Sequence, residues 1–553
     1  MTRIYLFALL IALSALAVVD AEAVGKRNLS AVPEDRAADV GVDDDSAPVD
    51  LGWGPRRGPS AAKSSGFKEF DAAALTPPPD AHIKGVFGAP FSMRLIPIHA
   101  ALLPNGNIYY YGTDEAGGQG AKFLHAVWEP ELGPDEVFDT GTHKLLPHST
   151  GTDTFCAAQA LTNSGKLMIT GGDAIVNGQR NWSNWDTNVY DPGTNELESS
   201  QPMSHKRWYP TLLALANGDM LVLGGRDARS PPTSSPTPEV YTPATGWKTL
   251  STATSNLAYG GTNTSWYYPR AFPAPNGKVF VLAHHGEMFY LDPTGTGSII
   301  RPTNTLAPGS SLSLPIVSFA PGKILSLRTN RRVIVVDLNK TPPSRKDTAP
   351  VSRLRYWSNL TILANGKVMV SGGSGVGNKL TNVAYNAEIW DPATGKWTLQ
   401  AAAQKPRLYH SIALLLPDAS VLTAGGGAPG PVRNLNGEIF YPPYLWKADG
   451  SGLASRPSIE NAPGTVILGR EFDVTVGSGD SIARVTWVRH GAVTHSFDPA
   501  TSFTELSFTQ SGGTLTVTAP QNANVATPGY WMMFVINQNG VPSVAKTLHV
   551  TDT

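Results

Sequence analysis

The chain has 553 residues, enough for more than one domain, with a formal net charge of −1 and only 16% charged residues. That balance excludes the basic footprint expected of a partner for nucleic acid or for an anionic membrane surface. Glycine (55) and proline (45) are abundant, which favours many short strands joined by turns over long solvated helices.

Residues 1–23 read as a cleaved signal peptide. Arg3 supplies the basic flank, Phe7–Val19 the apolar core and Ala21-Glu22-Ala23 a small-x-small cleavage site. The apolar run falls short of the roughly 20 residues that a membrane span needs. The expected address is secreted, or periplasmic or cell-surface in a bacterium. Residues 24–84 are poor in aromatics, acidic over Glu34–Asp45 and stiff at Pro77-Pro78-Pro79, the composition of a disordered linker.

Residues 85–453 repeat one phrase seven times: an apolar strand, a turn of Asn/Asp-Gly type, a second apolar strand and often Gly-Gly. The turns fall at Gly106, Gly165, Gly218, Gly277, Gly322, Gly366 and Asp418, at intervals of 44 to 59 residues. That spacing is near the roughly 50 expected of kelch-type blades. Further strands such as Val189-Tyr190-Asp191-Pro192 and Glu388-Ile389-Trp390-Asp391-Pro392 bring each unit to four strands. The predicted architecture is all-β, a seven-bladed kelch-type β-propeller. Residues 454–553 change character. Alternating runs such as Phe472–Val476, Ile482–Val488 and Trp531–Ile536 predict an immunoglobulin-like β-sandwich.

Cys156, Tyr209 and Tyr409 each stand nine residues before their turn, and Tyr268 and Trp357 share that phase. In a propeller the first strand of each blade lines the central channel, so equal phase places these residues around one mouth. His410 lies one residue further in. Phenols and thiols also pack such spaces without chemistry. A lone thiol, two phenols and an imidazole together are a ligand-like inventory. The single cysteine has no disulfide partner within the chain, which leaves a buried thiol, an intermolecular bridge or a thiol consumed by other chemistry. A further nitrogen donor has several candidates: His99, His143, His148, His205, His284-His285, His490 and His495. The last lies in Val493-Thr494-His495-Ser496-Phe497, where a loop of the second domain could reach the propeller mouth.

Phe155-Cys156, Arg207-Trp208-Tyr209, Leu408-Tyr409-His410-Ser411 and Val493-Thr494-His495 resemble motifs of the copper radical oxidases, the glyoxal oxidase and galactose oxidase family. Gly425-Gly426-Gly427, Tyr441-Pro442-Pro443-Tyr444 and Pro528-Gly529-Tyr530-Trp531 extend the likeness across both domains. The resemblance implies one copper ion held by Tyr209, Tyr409, His410 and His495, with Tyr209 joined to Cys156 as a thioether radical cofactor. Two imidazoles and phenolate oxygen are the N,O donors that Cu(II) favours. One copper takes one electron whereas the oxidation releases two, so a second redox group is needed. Tyr409 is then the general base for the substrate hydroxyl. Where galactose oxidase has a sugar-binding domain this chain has the linker, and the stretch Gly224-Gly225-Arg226-Asp227 lacks the tryptophan that stacks on the crosslink there. Trp266, Tyr268 and Trp357 are candidates for that role. Tyr267-Tyr268-Pro269-Arg270-Ala271-Phe272 is closer to the glyoxal oxidase branch, which implies small aldehydes oxidised as hydrates to carboxylic acids, with O2 reduced to H2O2. The partners implied are a small aldehyde or alcohol and O2, with no nucleic acid, no membrane after signal cleavage, and a monomeric chain. The alternatives are a primary-alcohol or carbohydrate oxidase, a non-enzymatic glycan- or protein-binding propeller, and a hydrolase built on His284-His285. Adjacent strand residues face opposite ways, which disfavours the last. Asn181, Asn263 and Asn359 carry glycosylation sequons.

Overall fold

The computed structural model describes residues 77–552 apart from 134, 230–231 and 262–264. The signal peptide, most of the expected linker and the Asn263 sequon lie outside the described residues. Within them the chain is almost entirely β, with two four-residue helices and two 3-10 turns. Linker composition does not describe residues 77–84. They include a helical turn, Ala81–Lys84, with Ala81 buried.

Between Val86 and Tyr441 the strands form seven antiparallel sheets, each built on a run of four strands, and a two-stranded ribbon beside them. Their hydrophobic runs are short and buried on both faces, as in Trp208–Ala214, Val368–Ser374 and Ser411–Leu415. The last of these sheets takes its outer strand from the start of the chain, Val86 pairing with Tyr441. Residues far apart in sequence thereby share one ladder.

The innermost strand of each sheet ends in the repeated turn. In the first six sheets the turn residue is a glycine with φ between 66° and 87°, a conformation other L-residues avoid. The seventh turn differs from the sequence expectation. Ala419, at φ 67°, takes the glycine's place, and its N–H donates to Leu416 O as Gly218 N–H does to Leu215 O. The equivalent turn position is therefore 419 and not 418, and nine residues before it stands His410, not Tyr409. The equivalent positions are Pro97, Cys156, Tyr209, Tyr268, Ser313, Trp357 and His410. Three consecutive pairs of this set are tied through the backbone: Tyr209 N–H to Cys156 O at 3.0 Å, Tyr268 N–H to Tyr209 O at 2.9 Å, and Trp357 N–H to Ser313 O at 2.8 Å.

Buried Arg–Glu pairs brace three of these sheets just before these positions: Arg207–Glu239 at 2.9 Å, Arg355–Glu388 at 2.8 Å and Arg407–Glu438 at 2.8 Å. Each arginine also donates to backbone carbonyls of its own sheet, as Arg207 does to Gly224 O and Thr237 O. Removing one partner of such a pair costs about 3–5 kcal/mol because it strands the other charge. These pairs therefore fix the backbone that presents Tyr209, Trp357 and Tyr409.

After residue 456 two sheets share one apolar core containing Val474, Leu515 and Val517 from one sheet and Trp487, Trp531 and Val535 from the other. This region docks on turns of the preceding sheets: Thr486 Oγ1 donates to Ala364 O at 2.7 Å and Arg484 Nη1 to Asn365 O at 3.0 Å. It also sends the strand Ala492–Thr494 into the first sheet, where Thr494 pairs with His99. No helix among the described residues is long and apolar enough to cross a membrane.

Candidate metal centre

Cys156, Tyr209, Tyr409, His410 and His495 come together, each at most 2% exposed. Thr494 and Phe497 exchange backbone hydrogen bonds of 2.9 and 2.8 Å around His495 and Ser496, whose φ values are 45° and 61°. Two positive φ values in a two-residue hairpin are the mark of a type I′ turn. His495 is thus the tip of a hairpin whose first strand belongs to the first sheet, which drives its ring inward. Cys156 (58°), Tyr209 (65°) and His410 (65°) also have left-handed backbones. Such strain costs of order 1–3 kcal/mol per residue and clusters at functional sites.

The phenol oxygens of Tyr209 and Tyr409 are 2.7 Å apart. One ligand-type atom from each of Cys156, His410 and His495 lies within 4.8 Å of the others, with Cys156 Sγ 3.8 Å from His495 Nε2. The Cys156 thiol and the Tyr209 phenol lie close enough for each to influence the other's ionisation. The Tyr209 and His495 rings are 5.1 Å apart, and those of Tyr409 and His495 5.5 Å. The late imidazole predicted from sequence is therefore at the site and shielded from bulk water.

Hydrogen bonds set the tautomers. Thr494 Oγ1 donates to Ile98 O at 3.1 Å, so it accepts from His495 Nδ1 at 2.5 Å. The Nε2 lone pair of His495 is left facing the sulfur. His410 Nδ1 donates to Gly427 O at 2.8 Å, and its Nε2 is buried with no partner among the described residues. Burial lowers the His410 pKa to about 3, and burial followed by the charges of His410 and His99 lowers that of His495. Both rings are neutral at ordinary pH, the form that ligates a metal. Burial pushes the Tyr209 phenol and the Cys156 thiol up. A cation at this spot would offset the cost of ionising them.

Two neutral imidazole lone pairs and two phenol oxygens converging in a water-poor site suit a copper ion. Their second nitrogens are already spent on a threonine hydroxyl and a backbone carbonyl, the outer-layer arrangement that orients metal-binding histidines.

The other candidates sort cleanly. Of the three rings that might stack on Tyr209, Trp266 lies near-parallel, at 6.3 Å and 15°. Tyr268 is tilted by 50°, and Trp357 packs on Tyr409 at 4.4 Å. Arg226, in the stretch that lacks the expected tryptophan, lays its guanidinium 4.2 Å from Trp208 and 5.8 Å from Trp266. His143 bonds Tyr110 OH, His148 lies 3.0 Å from Thr150 Oγ1, His205 pairs with Glu239 and His490 meets Leu102 O, so none joins the centre. His99 is buried and stacked on Tyr111, 5.6 Å from the His495 ring, one layer behind it. Asn181 and Asn359 are 4% and 2% exposed, which closes both sequons to a glycan. A groove of about 1020 Å³ lined by residues including Leu363, Asp391, Tyr444 and Trp446 contains no residue of the centre.

Sequence reasoning missed the hydrogen bonds of Thr494 and Gly427 to the two imidazoles. Thr494 had a signal, a hydroxyl directly before the candidate histidine. The contact of Gly427 O with His410 had none before the fold.

Residues 135–338 match the family model of the glyoxal oxidase N-terminus, and residues 456–550 that of the galactose oxidase-like early set domain. A galactose oxidase of Gibberella zeae is 27% identical, over 87% of this chain and 72% of the relative. Aldehyde oxidase GLOX of Vitis pseudoreticulata is 26% identical, over 80% of this chain and 89% of the relative. A copper-bound structure described as a novel fungal alcohol oxidase with catalytic diversity among the AA5 family superposes with a TM-score of 0.74. It is 25% identical and covers 84% of this chain and 99% of its own. The two family models, the named oxidases and the copper-bound neighbour together assign this chain to the copper radical oxidases, among the glyoxal oxidase- and galactose oxidase-like enzymes.

Proposed function

We propose that the chain is a secreted copper radical oxidase that converts small aldehydes, as their hydrates, to carboxylic acids and reduces O2 to H2O2. The observation that carries the reading is the convergence of two neutral imidazoles, two phenols and the single thiol at one buried point. The seven four-strand runs are read as blades of a β-propeller closed by the pairing of Val86 with Tyr441, and the two C-terminal sheets as an immunoglobulin-like sandwich that lends His495. The domains are residues 85–453 and 454–553, following a signal peptide at 1–23 and a linker that ends before the helical turn Ala81–Lys84.

His410 and His495 would hold copper through Nε2, with Tyr209 and Tyr409 through their phenol oxygens. Bound there, copper would supply a one-electron redox couple for one of the two electrons that the substrate releases. Tyr409, whose phenol oxygen is 2.7 Å from that of Tyr209, would act as general base in its phenolate form, taking the proton of the substrate hydroxyl and becoming the neutral phenol. Tyr209 is the one-electron partner and takes the hydrogen atom from the substrate carbon. Sulfur on the Tyr209 ring lowers its oxidation potential by sharing the unpaired electron. Making that bond removes one hydrogen from Cys156 Sγ and one from the ring carbon, and dioxygen accepts both as H2O2. Trp266 covers the ring and keeps water from it. The match of residues 135–338 to the glyoxal oxidase N-terminus supports aldehydes over the carbohydrate alternative. Primary alcohols are the second reading, since the copper-bound neighbour is named an alcohol oxidase.

Copper-loaded protein offered methylglyoxal, a primary alcohol and galactose tests this. Oxygen uptake with stoichiometric peroxide should be fastest on the aldehyde. Turnover of galactose alone would reject the substrate assignment, and no stoichiometric copper uptake would restore a binding propeller.

A further inference from the structure

Seven arginines are buried among the described residues. Arg207, Arg355 and Arg407 each meet a buried glutamate, and Arg226 and Arg489 donate to backbone carbonyls, Asn181 O for the first and Ala500 O and Pro528 O for the second. Arg270 and Arg328 are buried as deeply, at 4% and 3% exposure, yet neither meets a carboxylate among the described residues. Arg270 donates one Nη2 hydrogen to Leu312 O at 2.6 Å and lays its guanidinium 4.7 Å from the Phe497 ring. Its Nε and Nη1 have no acceptor among the described residues, and neither have Nε and Nη2 of Arg328. Burial lowers both pKa values, to about 10 and about 9, so both groups stay cationic at neutral pH.

One segment ties the two together. Ser310 N–H donates to His284 O, Arg270 Nη2 to Leu312 O, and Leu327 N–H, next to Arg328, to Pro315 O. The same segment accepts Trp357 N–H at Ser313 O, and Trp357 packs on Tyr409. The arginine pair thus lies one layer from the candidate metal centre. Two guanidinium groups out of water with free N–H donors and no counter-charge are strongly unfavourable unless an anion is supplied.

We propose that Arg270 and Arg328 form a binding site for a small carboxylate against the segment Ser310–Pro315. A guanidinium fork matches the two oxygens of a carboxylate, which sets it apart from a spherical halide. The site itself needs no copper. Only its use, holding the acid product or the acid group of an oxo-acid substrate beside the centre, rests on the proposed oxidase reading.

The test is titration of the full-length chain, copper-free and copper-loaded, with formate and with chloride, followed by calorimetry and thermal melting. The expected result is one formate per chain in both forms, a rise in melting temperature that saturates, and chloride at least tenfold weaker. Arg270→Gln and Arg328→Gln should each weaken formate at least tenfold. Arg328→Lys, which keeps the charge and loses the fork, should stay folded and weaken it several-fold. Formate uptake that appears only after copper loading, equal affinity for chloride, no saturable uptake, or uptake undiminished in the variants would each overturn the assignment. None of those results bears on whether the centre binds copper.

Discussion

Replacing Thr494 by valine removes one hydroxyl and almost no volume. That hydroxyl accepts from His495 Nδ1 at 2.5 Å while donating to Ile98 O at 3.1 Å, at a residue 4% exposed. Without it His495 Nδ1–H is buried and unpaired, and nothing favours the tautomer whose Nε2 lone pair faces the centre. An unsatisfied buried donor costs about 1–3 kcal/mol, and loss of an outer-layer partner lowers metal affinity by about 10- to 100-fold. The two agree, since about 1.4 kcal/mol is a factor of ten. Copper affinity measured by chelator competition should fall by about 10- to 100-fold in Thr494→Val, and Thr494→Ser should recover most of it. The copper-free melting temperature of each variant separates affinity from fold. A Thr494→Val protein that is folded and binds copper within about twofold of wild type would refute the claim that this hydroxyl orients the imidazole.

Cys156→Ser should retain copper, because no ligand is lost, but should show no radical absorption and lose most of its activity; unchanged turnover would remove the thiol from the chemistry. Glu388→Gln, which strands buried Arg355, should destabilise the chain by about 3–5 kcal/mol, read by denaturant unfolding. Acid should destabilise the copper-free protein. Burial holds His125, His143 and His490 at about 3, against 6.5 for an ordinary imidazole, so the unfolded chain binds protons that the folded chain refuses. The stability they contribute is complete above pH 6.5 and is lost as pH falls toward 3, at up to roughly 1.4 kcal/mol per unit for each ring. Asp173 and Asp498, pushed upward by burial, work in the opposite direction. A melting temperature that rises steadily between pH 6 and 4 would contradict the balance drawn here.

Much of the fold was legible because each sheet repeats one strand–turn–strand phrase, and a period near fifty residues is hard to produce otherwise. The phase of the last repeat was misread for a local reason. Ala419 adopts the left-handed backbone that glycine takes in the other six turns, so no glycine marks this turn and the sequence pattern points one residue early, to Asp418. The five residues that the structure brings together were legible as candidates all the same, because thiol, phenol and imidazole are scarce and their motifs specific. What makes them a site was not legible. His495 enters by pairing Thr494 with His99 nearly four hundred residues away, and no local pattern encodes that register. The choice of Trp266 over Tyr268 and Trp357 depends on ring orientation. Asn181 and Asn359 looked like surface sequons because burial within a sheet cannot be read from a tripeptide.

Peptide mapping of the copper-loaded protein under reducing conditions is the most direct test of the centre. The account predicts a single crosslinked species that joins the peptide containing Cys156 to the one containing Tyr209, lighter than their sum by two hydrogens and resistant to reductant. Recovery of the Cys156 peptide with a free, alkylatable thiol after aerobic turnover would contradict it.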